Sequence, residues 1–306
     1  MISRFIRWPD FRKSSDQRSA INEFASAFGK SKIAVVAFLM LLAVLGISLF
    51  APIISPQNPY DLAQLDILDG GLPPGSTGSS GTIYWLGTDD QGRDMLSAIF
   101  YGLRTSLAVG VLSGLIALLI GTCLGLCVGY FGGLADSLIM RLADFQLGFP
   151  PILVALILLA VLGQGVEKIV IALIVVQWAY YARTVRATTQ VEREKGYVES
   201  AKSLALGPGR IVFRHILPNC LPPLVVIGTI QVAYSIGLEA TLSFLGLGLR
   251  VTEPSLGLLI ANGFNYIASG KYWISFYPGL VLLVTIMSIN LVGDHLRDVF
   301  NPRLNQ

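Results

Sequence analysis

The chain has 306 residues, of which 53% are hydrophobic and only 13% carry a charge. Soluble domains usually contain about 25% charged residues, so this composition argues against an ordinary soluble enzyme and favours a membrane protein. Disorder is excluded as well, because disordered chains are poor in apolar residues and rich in charge. The net charge of +3 also argues against nucleic-acid binding, which needs a clustered basic surface to neutralise phosphates.

Six apolar runs follow one another along the chain, and each is predicted to cross the membrane as a helix. A crossing needs about 20 apolar residues, and continuous rather than alternating runs indicate helices rather than barrel strands. The runs are 33–50, a stretch within 105–135, 145–166, 169–182, 216–238 with a continuation to 249, and 272–293. The first is predicted to be a retained anchor rather than a cleaved signal peptide. The fourth is the shortest, and it spans if Lys168 and Arg183 at its ends extend towards the headgroups.

Lysine and arginine residues concentrate on one side of this six-helix scheme. Of the 22 in the chain, seven lie in the leader before the first helix and seven in the segment 183–215. Because such residues favour the cytoplasmic side, both termini and this segment are predicted to be cytoplasmic. The chain then divides into a leader, a first helix, a Pro/Gly-rich and mostly irregular outer loop, a helical core and a tail. Their predicted bounds are 1–32, 33–55, 56–104, 105–300 and 301–306.

Side chains of the kind that catalyse reactions or bind metals are few in this sequence. The two histidines, His215 and His295, belong to no metal-binding motif, and three cysteines do not make a disulfide framework. The sequence at 29–31 resembles the end of a phosphate loop, but Phe24 occupies the position of its first glycine. The sequence therefore predicts no catalytic residue, no metal site and no nucleotide site.

Three local patterns predict structure rather than chemistry. The aspartates of the segment 89–94 resemble a cation site, but Arg93 lies among them and a turn explains the pattern better. Arg141 and Asp144 are three residues apart, which suits a local ion pair on a helix. The Phe-Pro-Pro sequence at 149–151 is predicted to bend the third helix, because proline removes a backbone donor.

Glycines recur at intervals of four within the second apolar run. This spacing puts them on nearly one face of a helix, and a face without side chains lets another helix approach closely. The face packs either within the chain or against another subunit, and the sequence leaves both open. The glycines are Gly110, Gly114, Gly121, Gly125, Gly129 and Gly133.

Four polar residues interrupt the later apolar runs: Glu239, Gln231, Gln177 and Asn290. Polar groups inside a membrane are costly, and they tend to face a cavity or one another. They are therefore candidates for lining a polar path through the membrane. Hydrogen bonding between helices is the alternative interpretation for each, and Glu239 also lies close enough to the outer leaflet to reach the headgroups.

The segment 195–204 is the most informative stretch outside the predicted membrane helices. It is predicted to form a short helix with Tyr197, Ala201 and Leu204 on one apolar face. The glycines on either side of Pro208 are predicted to end it. Such a helix suits either a groove on a partner protein or the surface of anionic lipids, and periodicity alone does not decide between them.

This segment resembles the EAA loop of ABC importer permeases, which reads E-A-A, three residues, G, nine residues and I-x-L-P. The resemblance covers a loop of about 188–218, and it departs from the motif where Ser200, Ala205 and His215 replace Ala, Gly and Ile. It implies that the short helix docks into a cleft on a cytoplasmic ATPase and passes its motion to the membrane helices. The coupling residues implied are Glu199, Ser200, Ala201, Leu204, Ala205, Gly207, Leu217 and Pro218.

Other segments resemble the dipeptide/oligopeptide group of these permeases and favour its C-type subunit. They are 87–94, 101–107, 213–219, 239–248, 293–298 and 301–304. The resemblance implies an all-α membrane protein with six transmembrane helices, the type I ABC importer permease (MetI-like) fold, and a coupling helix between helices 4 and 5. It also implies a multi-pass location in the bacterial inner membrane and a role in importing short peptides or similar small solutes.

The partners that this resemblance implies are a second, dissimilar permease subunit, two cytoplasmic ABC ATPase subunits, a periplasmic solute-binding protein and the lipid bilayer. No cofactor is expected in this chain, because ATP and Mg would be bound by the ATPase subunits. The residues support two other functions less well. A secondary transporter often has repeats and midplane charges, and here only Glu239 is a candidate. A membrane hydrolase needs a nucleophile and base pair that the sequence does not offer.

Overall fold

The structure is a computed structural model that describes residues 28, 29, 31–61, 65–250 and 252–300. The predicted leader therefore lies almost entirely outside the described residues, and the predicted tail lies wholly outside them. Helices dominate the described chain. They are α1 Lys32–Ile54, α2 Met95–Phe131, α3 Gly133–Leu147, α4 Pro151–Leu162, α5 Val166–Arg193, α6 Gly196–Ser203, α7 Pro208–Ile211, α8 Leu217–Phe244, α9 Leu256–Phe264 and α10 Trp273–Phe300.

Five helical stretches are long and apolar enough to cross a membrane: α1, α2, α5, α10, and α7 with α8, which a π-helical turn at Val212–Ile216 joins into one rod. The helices α3 and α4 pass the same test together but meet at an angle of 93°. If this bent pair counts as one span, the described residues contain the six crossings that the sequence predicts.

The bend between α3 and α4 is sharper than the sequence analysis expects. The run 145–166 is not one helix, since α3 ends at Leu147 and α4 begins at Pro151. Pro150 disfavours helical geometry in the residue before it, and Pro151 supplies no backbone donor. Pro151 is well placed as the first residue of a new helix, where that donor would have no partner in any case.

The helix α3 runs alongside α5 and is held there by ion pairs. Asp136 accepts a hydrogen bond from Nη2 of Arg186 at 2.7 Å, and Asp144 pairs with Arg183. The predicted local pair of Asp144 with Arg141 is therefore wrong. The reason is tertiary, because the antiparallel approach of α5 brings Arg183 to the carboxylate while Arg141 stays exposed.

The glycine face of α2 packs inside this chain. A Cβ atom on Gly125 would lie 2.6 Å from the carbonyl oxygen of Ala182 on α5, and one on Gly121 would lie 2.6 Å from that of Trp178. Nearer the start of α2, a Cβ atom on Gly110 would lie 2.5 Å from the side chain of Ile236 on α8. The missing side chains therefore let α2 approach α5 at backbone distance and pack closely against α8, which is the first of the two interpretations that the sequence left open. Gly133 does not belong to this face, because it begins α3 and a Cβ there would meet nothing within 4 Å.

The outer loop between α1 and α2 contains a small folded region. Its two strands, β1 Ser76–Thr77 and β2 Ile83–Tyr84, are antiparallel. Asp69 accepts hydrogen bonds from the backbone of Ser79 at 2.8 Å and from the hydroxyl of Tyr84 at 3.1 Å. Burial and the neighbouring carboxylate raise the pKa of Tyr84 to about 12. The loop is thus less irregular than its Pro/Gly content suggests.

Asp89 and Arg93 form a buried ion pair where this loop meets α2. Nε of Arg93 lies 2.5 Å from Oδ2 of Asp89, and both side chains are at most 2% exposed. Burial raises the pKa of Asp89, and the charge and hydrogen bonds of Arg93 oppose that shift. The backbone of Gly92 donates to the carbonyl oxygen of Asp89 at 3.3 Å, so the segment forms the turn that the sequence indicates.

The substitution Arg93→Met should therefore destabilise the outer region strongly. It leaves the Asp89 carboxylate buried without its partner, and breaking a buried pair in this way typically costs about 3–5 kcal/mol. Limited proteolysis of the outer loop in oriented vesicles measures the effect. The control is Arg104→Met at an exposed position, and equal protease resistance of the two variants would show that the buried pair contributes nothing.

Candidate functional site

The helix α6 is a short helix between the long helices α5 and α8, and one of its faces is fixed to the protein. Val198 is 0% exposed and Ala201 is 4% exposed. Both belong to an apolar cluster with Val185 of α5 and Ile216 of the π-helical turn. This cluster joins α6 to the ends of two membrane helices.

The opposite side of α6 is open. Glu199, Ser200 and Lys202 are exposed, and the side chain of Leu204 is 75% exposed. The predicted single apolar face of Tyr197, Ala201 and Leu204 is therefore wrong. The helix ends at Ser203, and Leu204 follows as its C-cap with φ −79° and ψ 9°, so it no longer follows the helical periodicity. Val198, which sequence reasoning missed, lies three residues before Ala201 and shares its inward face.

The chain leaves α6 through an unusual backbone conformation at Ala205. Its φ is 53°, the one positive φ of a residue other than glycine among the described residues. This is the position where the EAA motif carries glycine. The expectation that the glycines around Pro208 end the helix is wrong, because Gly207 and Pro208 instead begin α7. The remaining motif residues, Leu217 and Pro218, form the first turn of α8.

The substitution Ala205→Gly should stabilise the chain by about 1 kcal/mol, because the left-handed conformation costs an alanine roughly that much relative to glycine. Thermal unfolding of the purified protein in lipid nanodiscs measures the change. Ala187→Gly is the matched control, since Ala187 is exposed within α5 and glycine there should destabilise the helix by about 1 kcal/mol. Destabilisation by both variants would show that Ala205 is not strained.

Four polar side chains connect α6 to its neighbours. The hydroxyl of Tyr197 donates to Oε2 of Glu192, the last-turn acid of α5, at 2.6 Å. Nδ2 of Asn219, in the first turn of α8, donates to the Tyr197 hydroxyl at 3.0 Å. Nζ of Lys195 lies 2.5 Å from Oε1 of Glu192. We call these residues, Glu192, Lys195, Tyr197 and Asn219, the polar hub.

A cavity of about 560 Å³ lies between α4, α8 and α10. Its polar side chains are Tyr234, Thr241 and Asn290, and among the described residues no charged side chain lines it. Sequence reasoning singled out Asn290 but missed Tyr234 and Thr241. Tyr234 and Thr241 are seven residues apart with Gly237 between them, and this helical spacing indicates that all three share one face of α8. The full lining is Ile152, Ile230, Ala233, Tyr234, Gly237, Leu238, Thr241, Ile286 and Asn290.

The other three polar candidates lie away from this cavity. Glu239 is 0% exposed and accepts hydrogen bonds from Ser106 of α2 and from Ser243, each at 2.8 Å. Nε2 of Gln177 on α5 donates to Oγ of Ser235 on α8 at 2.6 Å. Glu239 and Gln177 therefore have the inter-helix role that the sequence leaves as the alternative, whereas Gln231 only accepts, through its backbone oxygen, a bond from Ser235 of the same helix at 2.7 Å.

The chain was compared with known protein families and proteins. The family described as "Binding-protein-dependent transport system inner membrane component" matches residues 121–306, and "N-terminal TM domain of oligopeptide transport permease C" matches residues 19–74. The dipeptide transport system permease protein DppC of Haemophilus influenzae is 36% identical to this chain, and the alignment covers 94% of this chain and 97% of that protein. The protein of that name from Escherichia coli K12 is 39% identical over 94% of each chain.

Two further comparisons extend this result. The glutathione transport system permease protein GsiD of Pectobacterium atrosepticum is 36% identical, over 94% of this chain and 92% of its own length. An inward-facing structure of the MetNI methionine ABC transporter matches 67% of this chain and 97% of its own chain, with a TM-score of 0.54 and 23% sequence identity. That likeness confirms the predicted type I importer permease fold. The chain therefore belongs to the family of inner-membrane components of binding-protein-dependent transport systems.

Proposed function

We propose that this chain is the C-type permease subunit of an ATP-driven importer of di- and oligopeptides. The relatives named for dipeptides, di- and tripeptides and glutathione support a short peptide as cargo. The single observation that carries the coupling role is α6, which combines a buried inward face at Val198 and Ala201 with an open outward face at Leu204. In this proposal the outward face docks on an ATPase subunit.

The charge distribution supports a cytoplasmic location for α6 and both termini. Arg193, Lys195, Lys202, Arg210 and Arg214 lie on or beside α6, and basic residues favour the cytoplasmic side of a membrane protein. The outer loop with its buried Asp89–Arg93 pair then faces the periplasm, where a solute-binding protein would deliver the peptide. A second, dissimilar permease subunit and two ATPase subunits complete the importer, and the ATPase subunits bind ATP and Mg.

The cavity between α4, α8 and α10 is our candidate for this chain's share of the peptide path. Its neutral polar groups, on Tyr234, Thr241 and Asn290, suit the amide groups that all peptides share. The absence of charge from its described lining suits cargo of varied side chains. Glu239 and Gln177 support the path indirectly, by fixing α8 against α2 and α5.

Reconstitution tests the proposed function. The chain is produced with its neighbouring transporter genes, purified as a complex, and placed in liposomes with the solute-binding protein. Import of a labelled dipeptide should require ATP on the side of the membrane that α6 faces. Mass spectrometry of the binding protein identifies the natural ligand. Import driven by a proton or sodium gradient without ATP would contradict the proposal and favour a secondary transporter.

A further inference from the structure

The polar hub holds α6 differently from the apolar cluster beneath it. Apolar contacts such as those of Val198 and Ala201 are not directional, so they determine which face of α6 is buried more than they determine its exact orientation. Hydrogen bonds are directional and weaken steeply when their geometry changes. The hydroxyl of Tyr197 lies within hydrogen-bond distance of Glu192 at the end of α5 and of Asn219 at the start of α8, and also lies 3.4 Å from the carbonyl oxygen of His215.

The two shortest hydrogen bonds of Tyr197 reach different membrane helices. Glu192 lies in the last turn of α5, and its carboxylate accepts a hydrogen bond from the Tyr197 hydroxyl, with 2.6 Å between the two oxygens. Hydrogen bonds to a charged acceptor are about twice as strong as neutral ones. Asn219 lies in the first turn of α8 and donates to Tyr197 at 3.0 Å and to the His215 carbonyl at 2.9 Å. One phenol oxygen thus connects the end of α5 to the start of α8.

The surroundings keep this connection in one protonation state. Burial and the hydrogen bond to Glu192 raise the pKa of Tyr197 well above its ordinary value, so the phenol remains a donor at all physiological pH values. Lys195 pairs with the other carboxylate oxygen of Glu192, at 2.5 Å, and fixes the orientation of that carboxylate. The acceptor is therefore held in place independently of Tyr197.

We propose that Tyr197 is a positioning residue that transmits the movement of α6 to α5 and α8 through its hydrogen bonds to Glu192 and Asn219. This inference rests on the proposed function, because it needs an ATPase that moves α6. It differs from the docking role of the helix as a whole: the outward face receives the force, and Tyr197 divides it between two membrane helices. Without the phenol oxygen, α6 still docks, but its movement shifts it relative to the apolar cluster beneath it instead of moving α5 and α8.

The test uses the complete reconstituted importer with Tyr197→Phe, which removes one oxygen atom and keeps the ring. The number of peptides imported per ATP hydrolysed should fall about tenfold, the effect expected from losing a hydrogen bond to a charged group. Assembly with the ATPase subunits should be unchanged. Glu192→Gln keeps an acceptor oxygen but loses the charge and the pair with Lys195, so its coupling should fall less than that of Tyr197→Phe but below that of the wild type. Tyr272→Phe, at an exposed tyrosine before α10, controls for loss of a hydroxyl.

The outcomes separate this inference from the proposed function. If Tyr197→Phe lowers thermal stability but leaves the peptides imported per ATP at the wild-type value, the residue is merely structural and the inference is wrong. If the wild-type complex contains no ATPase, or hydrolyses ATP without any response to loaded binding protein, the proposed function itself has failed, whatever the variant does.

Discussion

The substitution Leu204→Asp should leave the chain folded and inserted in the membrane but should reduce ATP-driven peptide import more than tenfold. Leu204 is 75% exposed next to the end of α6, so an aspartate there costs little in the isolated chain. In the assembled importer the same position would be buried against an ATPase subunit. Losing a buried apolar side chain and desolvating a carboxylate at a protein interface together cost roughly 2 kcal/mol or more.

The measurements for this variant are import into liposomes, copurification of the ATPase subunits, and the amount of chain in the membrane. Leu204→Met keeps an apolar side chain and should behave almost as the wild type. Ala201→Asp is the informative contrast, because Ala201 faces the buried cluster and a charge there should reduce the amount of folded chain. Normal import by Leu204→Asp would show that this face of α6 does not dock.

The substitution Gly125→Leu should prevent the chain from folding in the membrane. Even the first carbon of the new side chain would lie 2.6 Å from the carbonyl oxygen of Ala182 and 2.7 Å from Cβ of Val185. Because both atoms belong to the tightly packed α5, the helices must separate along their length. We expect a cost of about 3 kcal/mol or more, the upper end for overpacking, since backbone atoms cannot move aside as side chains do.

The amount of monodisperse protein after extraction into mild detergent measures this effect. Gly46→Leu is the matched control, because Gly46 lies in the membrane helix α1 and a Cβ there would meet nothing within 4 Å. That variant should be recovered at the wild-type level. Equal recovery of the two leucine variants would mean that the approach of α2 to α5 is not as close as the structure has it.

The number of membrane crossings follows from the sequence, but several helix ends do not. Apolar runs define only the part of a helix that lies in lipid, whereas α2 begins at Met95, where Asp94 caps it by accepting from the backbone of Ser97 at 2.9 Å. The short helix α9 was missed, because its nine residues are too few for a spanning run and it packs between longer helices. The Phe-Pro-Pro sequence located the bend of the third crossing but not its angle.

The sequence predicted the short helix of the candidate site but predicted wrongly which of its residues share one face. The apolar periodicity of the segment 195–204 predicted α6, yet it placed Leu204 and Ala201 on the same face. The deviation at Leu204 arises from the end of the helix, which a periodic pattern cannot register. The polar hub was invisible for a different reason: Glu192 and Asn219 meet at Tyr197 only after α5 and α8 are packed, and no local pattern links them.

The ion pairs between α3 and α5 have a consequence for how this protein is made. By hydropathy α5 is the least apolar of the long membrane helices, and it carries Arg183 and Arg186. Their partner acids lie on α3, which is synthesised first and turns leucines such as Leu138 outward. We therefore expect the newly made α5 to stop with Arg183 and Arg186 at the predicted cytoplasmic boundary, where Asp144 and Asp136 of α3 are already present to pair with them.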